Sequence, residues 1–219
     1  MKPGIRLGWG TALMALPLVL TGPVRAADDK AAAGEQPPLR ATYIPKEEID
    51  RVNQTATGTD RNIRVVDIGH ENFAIGIVHR GRTVDGRQVD ASPPPPRPST
   101  PCGTTVDDLP AGGYRGGIIH TVQTEAYYIV SGAGTMFTDG HLKNGKFYDL
   151  AELNGPTCIG TAYDVTVKAV KKGDIVIVPA GVVHGWIDVP DHVDYLSFRP
   201  SPGVLKAGWV NPALGPQEP

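Results

Sequence analysis

The stretch "GDIVIVPAGVVHGWID", residues 173–188, decides how this chain is read. Gly173-Asp174 suits a turn into a strand, after which Ile175 and Ile177 alternate with Val176 and Val178, leaving both faces apolar. A strand of that kind is expected to be covered on both sides. Pro179-Ala180-Gly181 ends it, because proline withdraws a ladder donor and glycine permits a positive φ. The next strand carries His184 and Trp186 on one face, so His184 falls just past a tight turn, near a barrel mouth.

The same punctuation recurs outward from this stretch. Residues 63–68, 73–78, 118–122, 126–130, 134–138, 165–170, 174–178, 184–189 and 195–198 read as short strands rich in β-branched and aromatic residues. Gly69-His70-Glu71-Asn72 is a turn, and residues 139–162 read as a long glycine-punctuated insertion. Residues 81–101 hold the proline run 93–96 and read as an irregular, polyproline-like loop. With 27 glycines and 21 prolines in 219 residues, turns are favoured over helices. One helix is expected, starting at Pro45-Lys46-Glu47-Glu48 and fading near Thr57-Gly58. Proline suits a first turn, acids complement the N-terminal dipole, and Ile49 and Val52 supply a small apolar face. About nine strands without internal repeat predict an all-β fold, one jelly-roll β-barrel with a short N-terminal helix.

The termini stand apart from that barrel. Lys2 and Arg6 precede the apolar stretch 11–20, and Val24-Arg25-Ala26 offers small residues at −3 and −1 of a cleavage site. This predicts a signal peptide over 1–26 and a secreted or periplasmic protein. Residues 27–59 form an arm and the short helix, 60–200 the barrel, and 201–219 an irregular tail. No later segment is long and apolar enough to span a membrane, and no basic run could follow a phosphate backbone, so neither membrane nor nucleic acid is an expected partner. Cys102 and Cys158 are the two cysteines, and an oxidising compartment predicts a bridge between them. Gly132-Ala133-Gly134 lies between strands rather than before a helix and is no nucleotide loop; Asn53-Gln54-Thr55 is a lone glycosylation sequon.

The spacing from Gly173 through Pro179 and Gly181 to His184 resembles the second motif of the cupin family, with Asp188 where asparagine is common. Upstream, "GGIIHTVQTEAYYIVSGAG" (116–134) resembles the first motif through His120, Glu125 and Gly132. The motif's first histidine is replaced by Ile118. The resemblance, covering roughly residues 60–200, implies a reduced metal site of His120, Glu125 and His184, with Gln123 or water as a substitute ligand. His120 and Glu125 are five residues apart and would face opposite ways on a straight strand, so residues 121–124 must turn or bulge. Two imidazoles and a carboxylate suit a divalent ion, Fe, Mn, Ni or Zn, without selecting among them. Tyr127 and Ile129 are expected to wall the pocket and Trp186 to pack beneath it, while His70, His79, His141 and His192 have no ligand spacing.

The resemblance implies three functions of different class. One is an exported metal-dependent enzyme acting on a small organic molecule by dioxygenation, decarboxylation, isomerisation or lyase chemistry, with Glu125 as ligand or as a general base. Another is a barrel that binds a metal or a sugar-like ligand without turnover, and the last is a structural dimer with a vestigial site. A homodimer is expected in each case.

Overall fold

The computed structural model describes residues 39–55, 59–84, 87–88, 99–150, 153–201 and 204–216. The expected signal peptide and the proline run 93–96 lie outside them. The elements, in chain order, are α1 (Lys46–Asn53), β1 (Asp60–Asp67), β2 (Asn72–Gly81), β3 (Thr83–Val84), β4 (Arg87–Gln88), β5 (Thr100–Cys102), β6 (Tyr114–His120) and β7 (Glu125–Thr138). They continue with β8 (His141–Leu150), β9 (Gly155–Tyr163), β10 (Thr166–Lys171), β11 (Ile175–Val178), β12 (His184–Asp188), β13 (His192–Ser201) and a 3₁₀ turn at Pro212–Leu214.

Antiparallel pairing runs β1-β2-β13-β7-β12-β6-β9-β8-β5, with β10 and β11 added to β7. The architecture is an all-β barrel of antiparallel strands. Its hinge is β7, expected from the sequence as two strands. The first half of β7 pairs with β13 and β11, the second half with β12 and β10. Between the halves Gly132 takes φ 70°, and a Cβ there would meet His192 O at 1.9 Å. Glycine thus lets one strand bend across both sides of the barrel without breaking.

Residues 139–162 are no insertion. They form the β8–β9 hairpin, which extends the sheet past β6 and accepts β5 at its edge. Two of the glycines there serve close approach rather than turning: a Cβ at Gly145 would sit 2.8 Å from Cys158 Sγ, and one at Gly160 2.8 Å from Gly145 Cα. Cys102 and Cys158 are bridged, tying β5 to β9. Within 81–101, read as irregular, the short β3–β4 pair forms, and buried Thr83 exchanges hydrogen bonds with Val189.

One further expectation fails at β11. Val176 and Val178 point inward, but Ile175 and Ile177 are 68% and 67% exposed, because none of the described elements covers that end of the outer face.

Over β1 and β2 the outer face is partly covered. Val52 of α1 packs with Ile63, Ile77 and Leu214, helped by Ile49 and Leu196. Arg61 reaches up from β1 to donate to the carbonyls of Val52, Asn53 and Thr55 at 3.2, 2.9 and 2.8 Å, capping the end of the helix. Arg61 also holds the Asn53 side-chain oxygen at 2.9 Å, so the sequon asparagine is engaged in packing. The tail docks too: Asn211 N donates to Ile63 O, Val65 N donates to Trp209 O, and Leu205 and Leu214 are buried. No helix among the described residues is long and apolar enough to cross a membrane.

Candidate metal centre

The strand ends answer the parity problem raised by His120 and Glu125. His120 is the last residue of β6 and Glu125 the first of β7, so residues 121–124 form the turn that lets both point inward. His184 opens β12, pinned from below by the turn after β11: Gly181 N donates to His120 O at 2.8 Å and Ala180 N to Thr124 Oγ1 at 3.2 Å. One donor atom from each of His120, Glu125 and His184 lies within 4.8 Å of the others, and all three residues are buried.

Hydrogen bonding sets the imidazole tautomers. Thr157 Oγ1 donates to Gly155 O at 3.0 Å, leaving its oxygen as acceptor for His120 Nδ1–H, also at 3.0 Å. His184 Nδ1 lies 3.1 Å from Val182 O, a pure acceptor, so it too carries a proton. In the neutral rings both Nε2 atoms therefore present lone pairs. They face Glu125 Oε2 at 3.5 Å from His120 and 3.4 Å from His184. These separations exceed an N–H···O hydrogen bond. Ligands about 2.1 Å from one tetrahedral ion would lie roughly 3.4 Å apart. The spacing fits atoms that share a cation.

Glu125 is held from the other side by a residue the sequence reading passed over. Arg199, 0% exposed, donates from Nε to Glu125 Oε1 at 2.6 Å, and its remaining nitrogens reach Asn62 Oδ1 at 2.9 Å and Asp60 Oδ2 at 2.5 Å. Burial is the largest influence and pushes the Glu125 carboxyl up, but the Arg199 charge and the facing His120 and His184 rings together hold the group well below the ordinary carboxylate range. Burial likewise pulls the Arg199 guanidinium down, yet Asp60 and Glu125 keep it above its usual value. Tyr127 Oη donates to Glu125 Oε2, and burial together with that carboxylate raises its phenol well above normal.

Gln123 is 1% exposed, with Nε2 on Ser201 Oγ at 3.2 Å and Oε1 unpartnered among the described residues. Trp186 lies in the core stacked on Tyr195 at 5.7 Å between centroids, and Ile129 is buried in the same cluster. Arg199 was legible in principle: in β13 the inward positions are Val193, Tyr195, Ser197, Arg199 and Ser201, and an arginine at that parity must be paired. A strand read as ending at 198 stopped one residue short of it.

Of the other histidines, His192 makes the most suggestive contacts. Ser131 Oγ lies 3.2 Å from His192 Nε2, and His192 Nδ1 lies 2.6 Å from Asp191 Oδ2, the order of a nucleophilic serine relay. The Ser131 proton, however, goes to Asp194 Oδ2 at 2.7 Å, which itself pairs with His79 through Oδ1 at 2.6 Å. With its proton on a carboxylate, Ser131 is not activated by His192.

No protein-family model matches the sequence, and no curated protein does. Solved structures are similar in shape. An uncharacterized conserved protein with a double-stranded β-helix domain from Klebsiella pneumoniae is 16% identical, over 75% of this chain and 94% of that one, with a TM-score of 0.36. The Cnp3 cupin domain of Schizosaccharomyces pombe is 11% identical, over 68% and 71%, with a TM-score of 0.34. The EutQ protein of Clostridium difficile is 10% identical, over 68% of each chain, with a TM-score of 0.31.

Proposed function

We propose that this single cupin-type barrel is an exported metal-dependent enzyme that acts on a small organic molecule. The observation that carries the reading is the convergence of two imidazole lone pairs and one carboxylate oxygen, spaced as ligands of one ion. His120, Glu125 and His184 would hold the ion, which would supply Lewis acidity or an oxygen-binding centre. Thr157 and the Val182 carbonyl fix the imidazoles, and burial of all three ligands keeps bulk water away. Glu125 serves as ligand rather than as a swinging base, because Arg199 occupies one oxygen and Tyr127 the other. That same lack of a free carboxylate favours a second reading, a barrel that binds its ion and ligand without turnover. The disulfide supports an oxidising compartment.

Metal analysis of tag-free protein tests the site. Wild type is expected to carry one ion per chain. His120→Ala, Glu125→Ala and His184→Ala should each weaken metal binding by more than about a hundredfold, since loss of a mere supporting contact already costs 10–100-fold. Circular dichroism should show the barrel intact. Full occupancy in His184→Ala would end the metal reading.

We also propose that two copies associate through the uncovered end of the outer face, where Ile175 and Ile177 lie beside half-exposed Tyr128. Light scattering at micromolar concentration should give a dimer mass, and Ile177→Asp should give a monomer. A monomeric wild type refutes the association.

A further inference from the structure

The turn that joins β6 to β7 inverts the usual sorting of side chains. Thr121 and Val122 face solvent, Val122 at 44% exposure, while Gln123 beside them is buried at 1%. Exposing a valine and burying an amide costs free energy unless the amide's hydrogen bonds are met inside. Departures of this kind gather at functional sites. Here the bonds are met only in part. Gln123 Nε2 donates to Ser201 Oγ at 3.2 Å, and Gln123 Oε1 is left without a partner among the described residues. Ser201, 0% exposed, accepts in that bond, so its own O–H is still free to donate.

The pair sits beside the candidate metal centre. The inward residues of β13 include Ser197, Arg199 and Ser201; Arg199 holds Glu125, and Ser201 holds Gln123. Residues two apart on a strand are about 6.6 Å apart along it. Ser197 Oγ, on the other side of Arg199, is also buried and unpartnered among the described residues. The interior around Glu125 thus holds oxygens that lack donors. An ionised carboxylate or phosphate brings acceptors alone and would leave Gln123 Oε1 unmet. An ammonium would meet it, but close to the buried Arg199 charge. A hydroxyl both donates and accepts, and carries no charge.

We propose that Gln123 and Ser201 form a binding subsite for a hydroxyl group, with Gln123 Oε1 accepting from it and the Ser201 O–H donating to it. The ligand of the barrel is then a small hydroxylated molecule, its hydroxyl a few carbons from the group that meets the ion. The proposal rests on reading His120, Glu125 and His184 as metal ligands, and Gln123 serves the ligand rather than the ion.

Full-length, tag-free protein loaded with zinc(II) would be titrated calorimetrically with γ-hydroxybutyrate and with butyrate, which share a carboxylate and differ by one terminal hydroxyl. Wild type should bind the hydroxylated acid more tightly by about tenfold or more, since a site built to bond a hydroxyl rejects the analogue that lacks it. Gln123→Leu and Ser201→Ala should each still take up one zinc per chain and lose that preference. Circular dichroism checks that both variants fold. A wild type that takes zinc but binds the two acids equally, or binds neither, overturns the subsite and leaves the metal site standing; so does a preference that survives in both variants. Loss of zinc from folded Gln123→Leu would make Gln123 a metal ligand and also overturn the subsite. A wild type that takes no zinc overturns both readings.

Discussion

Arg199→Met is expected to destabilise the barrel by about 3–5 kcal/mol, the cost of stripping one partner from a buried ion pair. Methionine fills much of the space, so the loss is electrostatic. It leaves Glu125 and Asp60 without the guanidinium that now reaches both, and it leaves the Asn62 side-chain oxygen without its donor from Arg199. The native pair need not stabilise the fold relative to an apolar substitute; the penalty lies in breaking half of it. Urea unfolding measures the effect, as a lower midpoint with an unchanged slope. Adding Glu125→Gln should recover part of the loss, because a neutral amide no longer needs a counter-ion. A single-variant cost below about 1 kcal/mol, the level of an ordinary surface change, would show that Asp60 and Glu125 find solvent instead.

The next largest effect is expected from the disulfide. Cys102 and Cys158 are 56 residues apart, and the chain-entropy model gives such a crosslink about 4 kcal/mol. Cys102→Ala/Cys158→Ala should therefore lower Tm by about 8–16 °C, taking 2–4 °C per kcal/mol for a chain of this size. The position of the bridge adds a local effect. Cys158 precedes Ile159 and follows Thr157, the residue that orients His120, and Cys158 pairs across the ladder with Ile119. Loosening β9 should thus weaken metal uptake as well as stability. Thermal denaturation followed by circular dichroism decides it, and a shift under about 2 °C would mean that β5 is held by its neighbours alone.

The parts of this molecule that were legible in the sequence share a physical cause. Strands from Asp60 to Asp67 and from Asn72 to Gly81 were signalled by β-branched runs between turn residues, and the two motifs carried His120, Glu125 and His184 because tight turns demand proline and glycine at fixed offsets. The β8–β9 hairpin was hidden because its glycines looked like turns, whereas Gly145 and Gly160 are there to make room for the bridge and for each other. The exposure of Ile175 and Ile177 could not be foreseen, since an apolar alternation says what a strand can bury and not what the chain supplies to bury it. Arg199 was missed because the last strand was read one residue short of it; its inward parity was legible, but its partners Asp60 and Asn62 in β1 were not, since local pattern carries no information about contacts that distant.

Asp60 and Arg199 are separated by 139 residues, and one belongs to the first strand while the other belongs to the last. A growing chain that has not yet delivered β13 lacks the guanidinium that holds the Glu125 and Asp60 carboxylates. Completion of this pocket is therefore a late event in folding, since it waits on the strand that carries Arg199.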